Sequence, residues 1–168
     1  MQDTIELLSE LIRCRPVSSD IAAVNRAMQV MYHYLQGKGV FCVLEEVQGR
    51  QVLFASTAPG KVHDVLLNAH IDVVPADAAL FEPRVEGDRL YGRGSSDDLS
   101  NAVCIAHVLC RQLGKASAGA IFTADEEIGG STTEAMILRG YAGRKLAIVL
   151  DGPSCRVAIA QKGIQIMK

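Results

Sequence analysis

The chain has 168 residues, 49% of them hydrophobic and 21% charged, with a formal net charge of −2 at pH 7. That length suits one domain with a real core, and the hydrophobicity excludes disorder. The near-neutral charge gives no electrostatic case for nucleic acid or an acidic membrane surface as a partner.

Residues 1–30 lack a basic stretch followed by an apolar one, and no apolar run approaches about 18 residues. Neither a signal peptide nor a membrane span is therefore expected. The five cysteines, Cys14, Cys42, Cys104, Cys110 and Cys155, are odd in number and show no CxxC spacing. They read as reduced core thiols of a cytoplasmic protein rather than a disulfide framework.

In chain order, residues 3–14 place Ile5, Leu8, Leu11 and Ile12 at helical spacing, with Asp3 or Thr4 as N-cap and Pro16 ending the run. A second helix starts from Ser18, Ser19 or Asp20. Its stripe is Val24, Met28, Met31 and Leu35, and Gly37 and Gly39 terminate it. The two methionines read as core filling. Residues 40–47 and 51–56 are β-rich and joined as a hairpin by Gln48-Gly49-Arg50.

Ala58-Pro59-Gly60 turns the chain into a central strand, residues 64–69. A polar, proline-containing stretch then runs to about Gly87, and Arg89-Leu90-Tyr91 forms a short strand. Residues 101–113 carry Ala102, Ile105, Ala106, Leu109 and Leu113 on one helical face, with Gly114 just beyond. A strand at 119–124, a helix at 131–139 capped by Ser131 or Thr132, and a strand at 145–150 follow. This alternation predicts an α/β fold, a mostly parallel sheet with helices on both faces, and the leading hairpin as an antiparallel pair at one edge. Residues 158–168 open a fresh alternating pattern around Ile164 and Ile166 and stop, so the chain reads as part of a longer protein.

Three apolar runs share one plan. Val65-Leu66-Leu67 leads to His70 and Asp72, Ala120-Ile121-Phe122 to Asp125-Glu126-Glu127, and residues 146–150 to Asp151. In an open α/β sheet the carboxyl edge of the strands is where ligands bind. A fourth acidic pair, Asp97-Asp98, closes the glycine-rich turn GRGSSDD.

Each signal also has a plainer explanation. His70 and Asp72, two apart at a strand end, suit either a metal ligand with its orienting carboxylate or a histidine satisfied in a loop. Glu126 and Glu127 cannot both point the same way. One suits a metal and the other a general base, although two acids opening a helix also suit its dipole. Asp151 needs a metal or a partner such as Arg144, Lys145 or Arg156. GRGSSDD resembles a phosphate-cradling loop only superficially, since it lacks a third glycine and a P-loop lysine. His33, His63 and His107 read as structural, and Arg84 and Arg93 as surface or structural pairing before any role toward a substrate carboxylate. Together His70, Asp97, Glu127 and Asp151 supply four hard or borderline donors at one edge, a set suited to two divalent ions.

The stretches NAHIDVVPA (68–76), YGRGSSDD (91–98), FTADEEIGG (122–130) and VLDGPS (149–154), in that order, resemble the co-catalytic zinc exopeptidase and amidohydrolase family. That family includes acetylornithine deacetylase, succinyl-diaminopimelate desuccinylase, aminoacylase and carboxypeptidase G. The resemblance implies a three-layer αβα catalytic domain whose N-terminal part is residues 1–160. Residues 161–168, with Gln161-Lys162-Gly163, would enter a lid or dimerisation domain.

It also implies two Zn²⁺ ions, with Co²⁺ or Mn²⁺ able to substitute. His70 and Asp151 would hold one ion and Glu127 the other, while Asp97 bridges them through an Asp97–Asp98 peptide that is often cis in the family. Glu126 would be the general base and Asp72 the residue orienting His70. The implied reaction is metal-assisted attack of water on the amide of a small N-acyl amino acid or peptide, in a parent protein that is a homodimer. Leu99-Ser100 departs from the family's usual Lys-Gly, and the family's last histidine ligand falls beyond residue 168. The other expectation is thus a catalytically incomplete metal-binding or interaction fragment. A nucleotide-dependent enzyme would rest on GRGSSDD alone.

Overall fold

Alternate residues of the same strands build two different cores, one on each face of a single sheet. The computed structural model describes residues 2–152 and residue 158. The expected tail strand and the Gln161-Lys162-Gly163 entry, like Cys155 and Arg156, lie outside the described residues. Helices α1 (Gln2–Arg13) and α2 (Ile21–Gly37) lead into a hairpin of β1 (Phe41–Val47) and β2 (Arg50–Ser56). Strand β3 (Val62–His70), a 3₁₀ turn at Ala78–Phe81, and a small hairpin of β4 (Arg84–Glu86) and β5 (Arg89–Tyr91) follow. Then come α3 (Leu99–Gln112), β6 (Ala118–Thr123), a 3₁₀ turn at Glu126–Ile128, α4 (Ser131–Leu138) and β7 (Ala142–Val149).

The main sheet has the order β1-β2-β6-β3-β7. Strands β6, β3 and β7 are parallel, and β1 and β2 add an antiparallel pair at one edge, as the alternation of elements predicts. Leu53 and Ala55 of β2, Leu67 and Ala69 of β3, and Ala120 and Phe122 of β6 face α1, α2 and α3 in the larger core. Val52, Phe54, Leu66 and Ile121, one residue out of step, face Met136 of α4 and Tyr141 in a smaller one. The three layers are therefore unequal, with three helices on one face and α4 on the other.

Predicted helical stripes are buried where expected. Val24, Met28, Met31 and Leu35 have no exposed surface, and each such side chain contributes about 1.5–3 kcal/mol of burial free energy. Asp20 caps α2 by accepting a hydrogen bond from the Ala23 N–H at 2.9 Å.

Several local expectations change. Helix α1 begins at Gln2, so Asp3 and Thr4 lie inside it. Asp3 accepts from the Tyr34 hydroxyl at 2.9 Å, and Thr4 meets His107 Nε2 at 3.0 Å. The short strand at 89–91 has a partner in β4, within the polar, proline-containing stretch. His63 lies inside β3, which begins two residues before the predicted strand. It is buried, with its ring nitrogens at Ser117 Oγ and the Gly60 carbonyl. Both ring nitrogens of His63 and Nε2 of His107 are thus engaged by structural partners.

The four described cysteines are free, but Cys104 is exposed rather than core. Arg84 pairs with Glu86 at 3.0 Å. Strand β7 forms the other edge of the sheet and exposes Leu146, Ile148 and Val149. No described helix is long and apolar enough to cross a membrane.

Candidate metal centre

Parallel pairing brings three strand ends to one edge. His70 is the last residue of β3 and lies in register with Thr123 of β6, while Asn68 lies in register with Val149 of β7. The residues following β6 and β7, Asp125-Glu126-Glu127 and Asp151, therefore emerge beside His70. The fourth contributor arrives from the other direction, through the turn that opens α3.

Gly94 makes that turn possible. It sits at φ +83°, and a Cβ there would stand 2.7 Å from Leu99 Cδ1 and 2.9 Å from Val73 Cγ1. Past the turn the Asp97–Asp98 peptide is cis, and the two carboxylates take separate tasks. Asp97 is exposed, with Oδ1 3.0 Å from His70 Nε2. Asp98 is fully buried; its Oδ2 accepts the His70 backbone N–H at 3.0 Å, and Oδ1 accepts from the Asn101 amide. Burial pushes the Asp98 carboxyl up to about 7. Asn101 also donates to the Leu150 carbonyl at 3.0 Å, tying α3 to the end of β7 just before Asp151.

The His70 ring is 2% exposed and oriented by its neighbour's main chain. Nδ1 lies 2.8 Å from the Asp72 carbonyl oxygen and 3.5 Å from Asp72 Oδ1, so Nε2 faces the acids. Burial works to lower the His70 pKa, but the carboxylates of Asp72 and Asp98 outweigh it and raise the value to about 10.

Asp72 itself accepts three further hydrogen bonds. They come from Ser18 Oγ at 2.7 Å, the Glu126 N–H at 3.0 Å and the Glu127 N–H at 3.3 Å. Burial opposes its charge, yet His70 and these donors hold its carboxyl below the usual range.

The two acids of the Glu126–Ile128 turn join different donor groups. Glu127 groups with His70 and Asp97, and Glu126 with His70 and Asp151; in each group one donor atom per residue lies within 4.8 Å of the others. Burial raises both glutamate carboxyls above their ordinary value. These acids do not open α4, so the helix-dipole explanation falls. Asp125 serves that helix instead. Gly130 holds the N-cap position, and Asp125 accepts from the Thr132 N–H at 3.1 Å, the Ser131 hydroxyl at 2.6 Å and the Thr132 hydroxyl. Arg144 and Lys145, considered as partners of Asp151, bind Asp64 at 2.6 and 2.7 Å.

The family model described as Peptidase family M20/M25/M40 matches residues 66–162, more than half of the chain and the whole of this edge. The chain belongs to this family.

The M20 chain is 33% identical over 113 residues to a succinyl-diaminopimelate desuccinylase of Dinoroseobacter shibae, covering 63% of this chain and 29% of that protein. A desuccinylase of Gluconobacter oxydans is 32% identical over 138 residues, 74% of this chain and 35% of the relative. The chain thus spans about a third of the length of the curated relatives it matches. Among solved structures, an M20 family metallo-carboxypeptidase, Sso-CP2 of Sulfolobus solfataricus, matches with a TM-score of 0.75 at 20% identity, over 89% of this chain and 37% of its own. Human carnosine dipeptidase 1 matches at 0.74 and 17%, over 90% and 38%. At these identities the structural likeness speaks for the fold. M20 proteins are metal-dependent hydrolases, and the donor set here, one imidazole nitrogen among carboxylate oxygens, suits a divalent cation.

Ser18, Asn101 and the buried role of Asp98 escaped the sequence reading. Asn101, three residues after Asp98 on one helix face, had a legible signal. Ser18 had none beyond its resemblance to a cap, because its partner Asp72 lies 54 residues away.

Proposed function

We propose that the protein is a metal-dependent hydrolase that cleaves the amide bond of an N-acyl amino acid or small peptide. One observation carries the reading: His70 Nε2 is shared by two groups of acids, Asp97 with Glu127 and Glu126 with Asp151, at the carboxyl edge of a parallel sheet. Two divalent ions fit this donor set. His70 and Asp151 would hold one, Glu127 the other, and Asp97 would stand between them; one imidazole nitrogen serves a single ion. Bound there, the metals would lower the pKa of a water and polarise the scissile carbonyl.

The remaining work belongs to the chain. Asp72 sets the His70 ring through its carbonyl and fixes the Glu126-Glu127 turn through its carboxylate. Glu126, about half exposed, takes the proton from the attacking water on a carboxylate oxygen and delivers it to the leaving amine. Its raised pKa suits a group that both accepts and returns a proton. The desuccinylase relatives favour an N-succinyl or similar N-acyl amino acid as substrate.

The test is hydrolysis of N-succinyl and N-acetyl amino acids and dipeptides by metal-loaded protein and its Glu126→Gln variant. The variant is expected to bind metal but to lose about 10²–10⁴-fold in rate. Full activity in Glu126→Gln would overturn the role given to this residue. Because the chain spans only about a third of its curated relatives, a second reading is a metal-binding or interaction fragment. Metal binding without turnover in this chain, with turnover in a longer chain carrying the same residues, would favour it.

A further inference from the structure

Arg50 opens β2, next to β6 in the sheet, and the antiparallel register carries it to the end of β6 where the acidic turn begins. Its half-buried guanidinium spends both forks on main-chain carbonyls. Nη2 donates to Ser18 O at 2.9 Å and Nη1 to Ala124 O at 3.1 Å. Among the described residues it forms no ion pair, although acids are plentiful nearby. The two carbonyls belong to segments 106 residues apart, and each borders a part of the site. Ser18 donates its hydroxyl to Asp72, and Ala124 leads directly into Asp125-Glu126-Glu127.

A closed ring results: Arg50 to Ser18, Ser18 to Asp72, Asp72 to the Glu126 and Glu127 amides, and back along the chain to Ala124 and Arg50. We propose that Arg50 is a positioning residue that sets Glu126 by clamping this ring, a role that rests on the reading of Glu126 as the base. The planar fork is what the position requires, because it can span two acceptors at once while an ammonium offers a compact point charge.

Hydrogen exchange of the full chain tests this without turnover. In Arg50→Met, and to a similar degree in Arg50→Lys, the Glu126 and Glu127 amides are expected to exchange about tenfold faster, while the Phe122 and Leu67 amides of the core strands keep their protection. Ser18→Ala should reproduce the pattern, and adding it to Arg50→Met should accelerate the two amides no further. In the metal-loaded enzyme, kcat should fall about tenfold with KM held within about threefold. Unchanged exchange at Glu126 and Glu127 overturns the proposal, and so does equal acceleration of all amides, which marks Arg50 as merely structural. Full activity in Glu126→Gln would instead defeat the base assignment, a result distinct from either exchange outcome.

Discussion

The carbonyl oxygen of Asp72, at 2.8 Å, lies nearer His70 Nδ1 than its carboxylate does, at 3.5 Å. The residue that the family resemblance casts as the orienting acid thus orients chiefly with its main chain. Its side chain is engaged elsewhere, gathering Ser18 and the amides of Glu126 and Glu127. One residue therefore couples the metal-facing histidine to the acidic turn, and its substitution should affect the two unequally.

Asp72→Ala leaves the His70 contact to the main chain but strips acceptors from two amides in a buried setting. A loss of about 2–4 kcal/mol in denaturant unfolding is expected. Turnover should fall further than metal affinity, since the ring still has its carbonyl partner. Equal losses in both would point to the carboxylate as the main orienter.

Metal and proton compete for His70. The acids around it raise its pKa to about 10, so the metal-free ring is protonated at neutral pH, and ligation requires the neutral form. Binding of the ion that takes His70 should release a proton, and apparent affinity should climb about tenfold per pH unit for each proton released, levelling near the raised pKa. The Asp72 contacts stabilise the metal-free fold fully below the ordinary imidazole value of 6.5, and that contribution fades as pH rises through about 10. Calorimetry in buffers of different ionisation enthalpy counts the protons; none released would contradict the charged ring.

Asp125 adjoins Glu126 and Glu127 in the sequence and is a helix cap in the fold. Asp125→Ala should cost about 1–2 kcal/mol of stability through the first turn of α4. Metal stoichiometry should stay as in the parent. A lost ion in this variant would show that Asp125 serves the metal.

Gly94→Ala tests the turn that delivers Asp97. A methyl group would meet the Leu99 and Val73 side chains in a backbone conformation that L residues rarely adopt. Destabilisation on the order of 2 kcal/mol is expected in thermal or denaturant unfolding. A variant as stable as the parent would mean that Leu99 yields freely.

Legibility in the sequence followed sequence distance. Helical stripes such as Val24-Met28-Met31-Leu35 and the strand that ends at His70 are periodic patterns imposed by one buried face, so they can be read locally. The ligand candidates could be read because carboxylates after buried strands demand compensation. Of the small hairpin, β5 could be read but its partner β4 could not, since β4 is exposed throughout and no core face forces alternation on it. The supports of the site were hidden for another reason. Ser18 to Asp72, Arg50 to Ala124 and Asn101 to Leu150 each join segments about 50 or more residues apart, and a hydrogen bond leaves no periodic trace in either.

Zinc titration of the chain by calorimetry, repeated on His70→Ala and Asp97→Ala, bears most directly on the shared-ligand site. Because His70 supplies the imidazole donor of one ion and Asp97 stands between the two, the ion held by His70 should be lost in His70→Ala, and binding should weaken at least about tenfold in Asp97→Ala. Undiminished binding in both variants would place the metal elsewhere and contradict the site.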